Sequence, residues 1–147
     1  VKKTIKKKNY ELKGFGFPVV IAEVELVANG DDYYPRIDSR KIQDLVFDSL
    51  RHAHCKMIGS QLVFIRKYMD MTQAELAKAL GLASHTTVSQ WESSGSSVPK
   101  GFDSLYIAAL RALMAKYRGE AALDLATFTR AISDDLDPPQ TVLAISA

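Results

Sequence analysis

From Ser84 to Gln90 the chain places a run of short hydrogen-bonding side chains, Ser84, His85, Thr86, Thr87, Ser89 and Gln90, interrupted only by Val88. Gln90 carries a donor and an acceptor on one planar amide, the arrangement that meets the N6 and N7 edge of adenine in a bidentate pair. Ser84 has the chemistry of a helix N-cap, whose hydroxyl accepts from the free N–H groups that follow. A second cluster, His52, His54 and Cys55, offers imidazole and thiol ligands, but separations of two and one residues are too tight for tetrahedral chelation from a helix or strand. Those residues read instead as a polar helix end. Cys55 is the only cysteine, which excludes an intramolecular disulfide and any cysteine-rich zinc site. No nucleophile has a base in its pattern, no glycine loop is built to cradle phosphate, and no carboxylate pair falls at helical spacing in a cleft, so the chain reads as a non-enzyme without metal or cofactor.

The net charge of +2 is small, but it is unevenly spread. Lys2, Lys3, Lys6, Lys7 and Lys8 open the chain with no acid among them, whereas Glu120, Asp124, Asp134, Asp135 and Asp137 stand near its end against Arg130. One end attracts phosphate and the other repels it. The lysine run is read either as an arm that binds phosphates or, by preference, as a solvated tail.

These side chains need elements to position them. With 147 residues, 47% of them hydrophobic, the chain can build a core. Val19, Val20, Ile21, Val24, Leu26 and Val27, punctuated by Gly14, Gly16, Pro18, Asn29 and Gly30, have strand chemistry. A turn at Asn29-Gly30-Asp31-Asp32 should pair Val24–Val27 with Tyr33–Ile37 in a small antiparallel sheet. Asp38 or Ser39 caps a helix through Ile42, Leu45, Val46 and Leu50 that ends near His54. Met57-Ile58-Gly59-Ser60 breaks that pattern and supplies a fresh cap.

Five helical segments follow. They span Ser60 to Met69, Thr72 to Gly81 with a Thr72/Glu75 capping box, Ser84 to Trp91, about Phe102 to Tyr117, and about Glu120 to Ile132. The expected fold class is therefore α+β: a basic tail (1–9), a β-rich lobe with a linking helix (10–57), a helical domain (58–132) and a loose or extended C-terminal tail (133–147). The second and third helical segments, joined by a tight glycine turn, have the lengths of a helix-turn-helix, with Ala77 small enough to let the two helices approach.

Arg66, Thr72-Gln73-Ala74-Glu75-Leu76-Ala77, Gly81, Val88 and Trp91-Glu92, in that order and spacing, resemble the lambda-repressor-like, Xre-type DNA-binding domain over roughly Ile58 to Tyr117. The turn Leu82-Ala83-Ser84 is one residue longer than the commonest form. The resemblance implies base reading in the major groove by His85, Thr86 and Gln90, and backbone contacts by Thr87 and Ser89. It gives Gln73 a phosphate grip at a helix N-terminus, with Lys100 as a further phosphate contact. Arg66 and Glu92 become a partly buried positioning pair, and Ala77, Gly81 and Trp91 structural residues. More weakly, the whole chain resembles MqsA-type antitoxins and regulators, but without their two zinc-binding cysteine pairs.

A single reading helix covers one half-site, so a homodimer on a palindromic double-stranded operator is expected, with halves about 34 Å apart. The dimer face would be either Leu105, Ile107, Ala108, Leu110, Ala112 and Leu113, or Leu123, Leu125, Phe128 and Ile132. The expected function is a sequence-specific transcriptional regulator, a repressor in the simplest case. The alternative is an antitoxin of a type II pair whose N-terminal lobe, with its Phe15-Gly16-Phe17 tip, neutralises a toxin while the helices repress the operon. With no apolar run near 18 residues and no signal-like start, the reading is a cytoplasmic protein without a membrane partner, and a chain opening on Val1 leaves an upstream segment open.

Overall fold

In the computed structural model, which describes residues 3–120, 124–133 and 135–146, the β-branched run of the first third forms three strands, β1 (Thr4–Leu12), β2 (Val19–Asn29) and β3 (Asp32–Pro35). A fourth, β4 (Leu143–Ile145), comes from the end of the chain. All pair with β2. β1 runs antiparallel to it from Thr4 opposite Val27 to Leu12 opposite Val19. β3 is antiparallel from Leu26 opposite Pro35 to Asn29 opposite Asp32, turning through Gly30 at φ +65°. The expected hairpin thus forms, but its second strand stops at Pro35, two residues short of Ile37, although Arg36 N–H still donates across to the Glu25 carbonyl at 2.7 Å.

Of the expectations about the two ends, one is corrected and one narrowed. The lysine run is not a tail: Lys6, Lys7 and Lys8 lie within β1, an outer strand, where the Lys6 ammonium reaches diagonally to the Glu23 carboxylate at 3.7 Å. Charges on an outer strand discourage a further chain from pairing there. Val1 and Lys2 lie outside the described residues. The C-terminal segment takes the extended of its two expected forms, since Leu143–Ile145 pairs in parallel with Val19–Ile21 and buries Leu143 and Ile145. The sheet is therefore mixed rather than purely antiparallel.

Along β2 the inward side changes parity. Val19 and Ile21 are buried, Ala22 and Glu23 are exposed, and Val24 and Leu26 are buried again. The facing stretch of β1 contains Asn9 at φ +53°, a left-handed conformation that asparagine tolerates better than most residues. The apolar run that hides any alternation in the sequence thus serves two successive inward faces.

Six helices complete the described residues: α1 (Ser39–His52), α2 (Gly59–Tyr68), α3 (Gln73–Ala79), α4 (His85–Glu92), α5 (Ser104–Tyr117) and α6 (Leu125–Ser133). The chain is α+β. Asp38 caps α1 by accepting from the N–H groups of Arg40 and Lys41 at 3.0 and 3.3 Å. Ile42, Val46, Phe47 and Leu50 bury its inner stripe. Ser60 is not the cap expected for α2: its hydroxyl donates to the Gly95 carbonyl, and the Gln61 amide oxygen accepts from Ile58 N–H instead. Asp103 caps α5, so the helix begins after Phe102 rather than at it. The last helix begins at Leu125; Leu123 and Asp134 lie outside the described residues.

The sheet and the helices share one apolar core. It runs from Val19, Ile21 and Leu143 through Val46, Phe47 and Leu50 to Leu62, Ile65, Leu76, Val88 and Ile107. Phe47 stacks on Tyr68 with ring centroids 4.2 Å apart, joining α1 to α2. Arg111, largely buried, donates to the carbonyls of Leu50 and Cys55 and so satisfies the end of α1 and the segment after it. His54 and Lys56, on either side of Cys55, hold the C-terminal segment: Asp137 N–H donates to His54 O, and Lys56 N–H to Asp137 O. Among the described residues no helix is long and apolar enough to cross a membrane.

Candidate functional site

The polar run singled out in the sequence forms α4, and its position is fixed from both ends. Before it, α3 opens on a reciprocal cap in which Glu75 N–H donates to the Thr72 hydroxyl at 3.1 Å and Thr72 N–H to the Glu75 carboxylate at 3.0 Å. That second bond, with help from the Thr72 hydroxyl, holds the Glu75 carboxyl below the usual glutamate range. α3 ends with Gly81 at φ +73°, where Leu82 N–H reaches back to Ala77 O at 2.8 Å and Gly81 N–H to Lys78 O at 3.1 Å. This double closure requires the left-handed residue that glycine supplies. Ala77 of α3 is buried.

Ser84 then caps α4 by accepting from Thr86 N–H at 3.1 Å. Val88 and Trp91 face the core, at 0% and 4% exposure. The Trp91 ring lies between Phe102 and Tyr106, at 4.7 and 5.2 Å, and its N–H donates to the Lys100 carbonyl at 3.2 Å. The side chain of Lys100 is exposed. His85, Thr86, Ser89 and Gln90 are exposed and Thr87 is half-buried, so α4 has one apolar face inward and one hydrogen-bonding face outward. Its first turn carries no acid.

At the far end Glu92 accepts from two N–H groups of Arg66, at 2.6 and 3.0 Å, in a bidentate pair whose side chains are only 7% and 13% exposed. Arg66 also donates to Met71 O at 2.9 Å, tying the end of α2 to the approach to α3. Gln73, assigned from the resemblance to a phosphate, donates its amide to Glu92 at 3.1 Å in this structure. Arg66, Gln73 and Glu92 thus form one network behind the exposed face, while His85, Thr86, Ser89 and Gln90 remain on it.

Gly59 is a positioning residue that the sequence reading left as a mere boundary. A Cβ there would stand 2.4 Å from Ser94 Oγ, 2.5 Å from Trp91 O and 3.0 Å from Glu92 O. The first N–H groups of α2 are meanwhile spent on the loop after α4, with Gly59 and Ser60 donating to the carbonyls of Ser97 and Gly95. A glycine in the opening turn of a helix, where propensity disfavours it, was the available signal.

Chemically, the outer face of α4 offers hydrogen-bond donors and acceptors backed by the buried Val88 and Trp91, with Lys78 and Lys100 as exposed cations on the neighbouring segments. No family model, no curated protein and no solved structure matches this chain.

Proposed function

We propose that the chain is a sequence-specific double-stranded DNA-binding regulator, a repressor in the simplest case, in which α3 and α4 form a lambda-repressor-like helix-turn-helix and α4 enters the major groove. The observation that carries this reading is the two-sided character of α4: Val88 and Trp91 are buried, Glu92 is locked to Arg66, and His85, Thr86, Ser89 and Gln90 are left facing solvent. His85, Thr86 and Gln90 read base edges, and Ser89, Thr87 and Lys100 contact the backbone. Gln73 reaches a phosphate by exchanging its bond to Glu92 for one to DNA. The protein acts as a homodimer on a palindromic site. Most of the apolar stripe of α5 is consumed in the core, at Ile107, Ala108, Leu110 and Met114, so the dimer face is assigned to α6, where Leu125 is 80% exposed, with Leu105 of α5 at 45%.

The test is a selection of operator sequences from random duplexes, followed by gel shifts. His85→Ala and Gln90→Ala should each cost about 1–3 kcal/mol on the selected site and little on random DNA. Gln73→Ala should weaken both alike. Equal losses on both DNAs for all three variants would remove His85 and Gln90 as readers.

The antitoxin reading draws on a different feature: Ile5, Tyr33 and Tyr34 are 42%, 39% and 53% exposed on the sheet. A neighbouring reading frame whose product is toxic alone and harmless beside this chain, but toxic beside Tyr33→Ser/Tyr34→Ser, supports it. A product harmless in every case ends it.

A further inference from the structure

The connection between β1 and β2 folds over α2 because Gly14 and Gly16 take φ of +100° and +83°. Phe15 and Phe17 thereby meet Phe64, with ring centroids 5.5 and 6.1 Å away. Between this connection, the start of α1 and the outer turns of α2 lies a cleft of about 540 Å³. That volume is typical of small-molecule sites, roughly 300–1,000 Å³. Its apolar wall is Leu12, Phe15, Ile42, Val63 and Phe64, with the ring of Tyr68. Phe15, Val63 and Phe64 are half-exposed there, so aromatic and aliphatic surface is left uncovered.

The polar lining has one sign. Its polar lining residues are two lysines, Lys13 and Lys67, with the neutral Ser39 and Gln43, and no Asp or Glu lines the cleft. Among the described residues neither lysine comes within 4.0 Å of an acid, and the side chains of Ser39 and Gln43 have no hydrogen bond. Nearby acids are committed elsewhere. Asp38 caps α1, and Asp44 accepts from the Tyr68 hydroxyl and faces Arg118. Two unpaired cations beside uncovered rings make a site complementary to a flat apolar body carrying one negative charge.

We propose that this cleft binds an aromatic carboxylate, its ring against Phe15 and Phe64 and its carboxylate drawn to Lys13 and Lys67. α4 contributes no residue to the cleft, so the assignment stands or falls apart from DNA binding.

The experiment titrates the full chain with naphthalene-2-carboxylate while following backbone amide chemical shifts, alongside 2-naphthalenemethanol and 2-naphthylmethylammonium. The carboxylate should saturate one site, with shifts centred on 13–17, 39–43 and 63–68. The alcohol should bind about tenfold more weakly, the size of one charge-assisted hydrogen bond, and the ammonium more weakly still. Lys13→Gln and Lys67→Gln should each weaken the carboxylate several-fold without changing the alcohol or the melting temperature. Non-saturating shifts, equal binding of the three probes, shifts centred elsewhere, or indifference to both lysine substitutions would each overturn the proposal.

Discussion

Glu92 receives Arg66 and Gln73 on one carboxylate, and the charge it neutralises is nearly sealed from water. Removing one member of such a pair leaves the other charge desolvated and unmatched, which costs far more than an exposed ion pair is worth. Glu92→Ala is therefore expected to lower stability by about 3 kcal/mol in urea unfolding, with Glu92→Gln losing less because it keeps an acceptor. Equal stability of Glu92→Ala and the parent would show the pair to be idle. Glu75 behaves differently because it is exposed and its partners are local. Its folded pKa lies below the ordinary 4.5, so the bond it makes stabilises α3 above that value and is lost as pH falls through the folded one. An NMR titration of the Glu75 carboxyl should give a midpoint below 4.5, and Thr72→Ala should bring it part of the way back. The Thr72/Glu75 cap was legible because its partners stand three residues apart. The Arg66–Glu92 pair spans 26 residues and was reached only through the family resemblance, which also sent Gln73 outward to a phosphate rather than back to Glu92.

Among the elements, the seating of α4 depends on how closely the start of α2 can approach its end. Gly59 sits where any β-carbon would press on the Trp91 and Glu92 carbonyls, which are backbone and cannot swing aside. Gly59→Ala should therefore destabilise the chain by about 1–3 kcal/mol despite alanine's better helix propensity. Adding Ser94→Gly removes the nearest side-chain clash but not the carbonyl ones, so it should recover little; full recovery would show that only the serine stood in the way. Helix positions were readable wherever a capping side chain opened a periodic stripe, as for α1, α3 and α4, and most sharply for α3, which a glycine also closes. β1 was not readable. Its lysine-rich half is exposed along nearly its whole length, so no apolar alternation marks it, and only pairing with Glu23–Val27 makes it a strand.

At the scale of the whole molecule, the helical segment from Ile58 to Ile132 is completed by residues on either side of it. Phe64 and Tyr68 of α2 pack on Phe15, Phe17 and Phe47, and Arg118 after α5 binds Asp48 of α1 at 2.9 Å while lying over the Phe47 ring. Gln61, only 1% exposed, donates its amide to the Gln140 carbonyl, so removing the C-terminal segment strands a buried donor, a loss of about 1–3 kcal/mol by itself. The same cut uncovers Val19 and Ile21 where Leu143 and Ile145 now lie. These contacts join residues distant in the chain, Gln61 and Gln140 79 positions apart and Val19 and Leu143 farther still, with no local pattern to announce them, which is why the sequence divided naturally into a lobe, a domain and two tails. The expected consequence is cooperative: the full chain should unfold in one transition by both near- and far-ultraviolet circular dichroism. A 58–132 fragment should keep part of its helix signal but lose the fixed near-ultraviolet signal of Trp91, as a packed core gives way to a loosely associated one. If that fragment instead melted cooperatively with the Trp91 signal of the whole chain, the sheet and the C-terminal segment would be attachments rather than parts of the core, and α4 would owe its placement to α2, α3 and α5 alone.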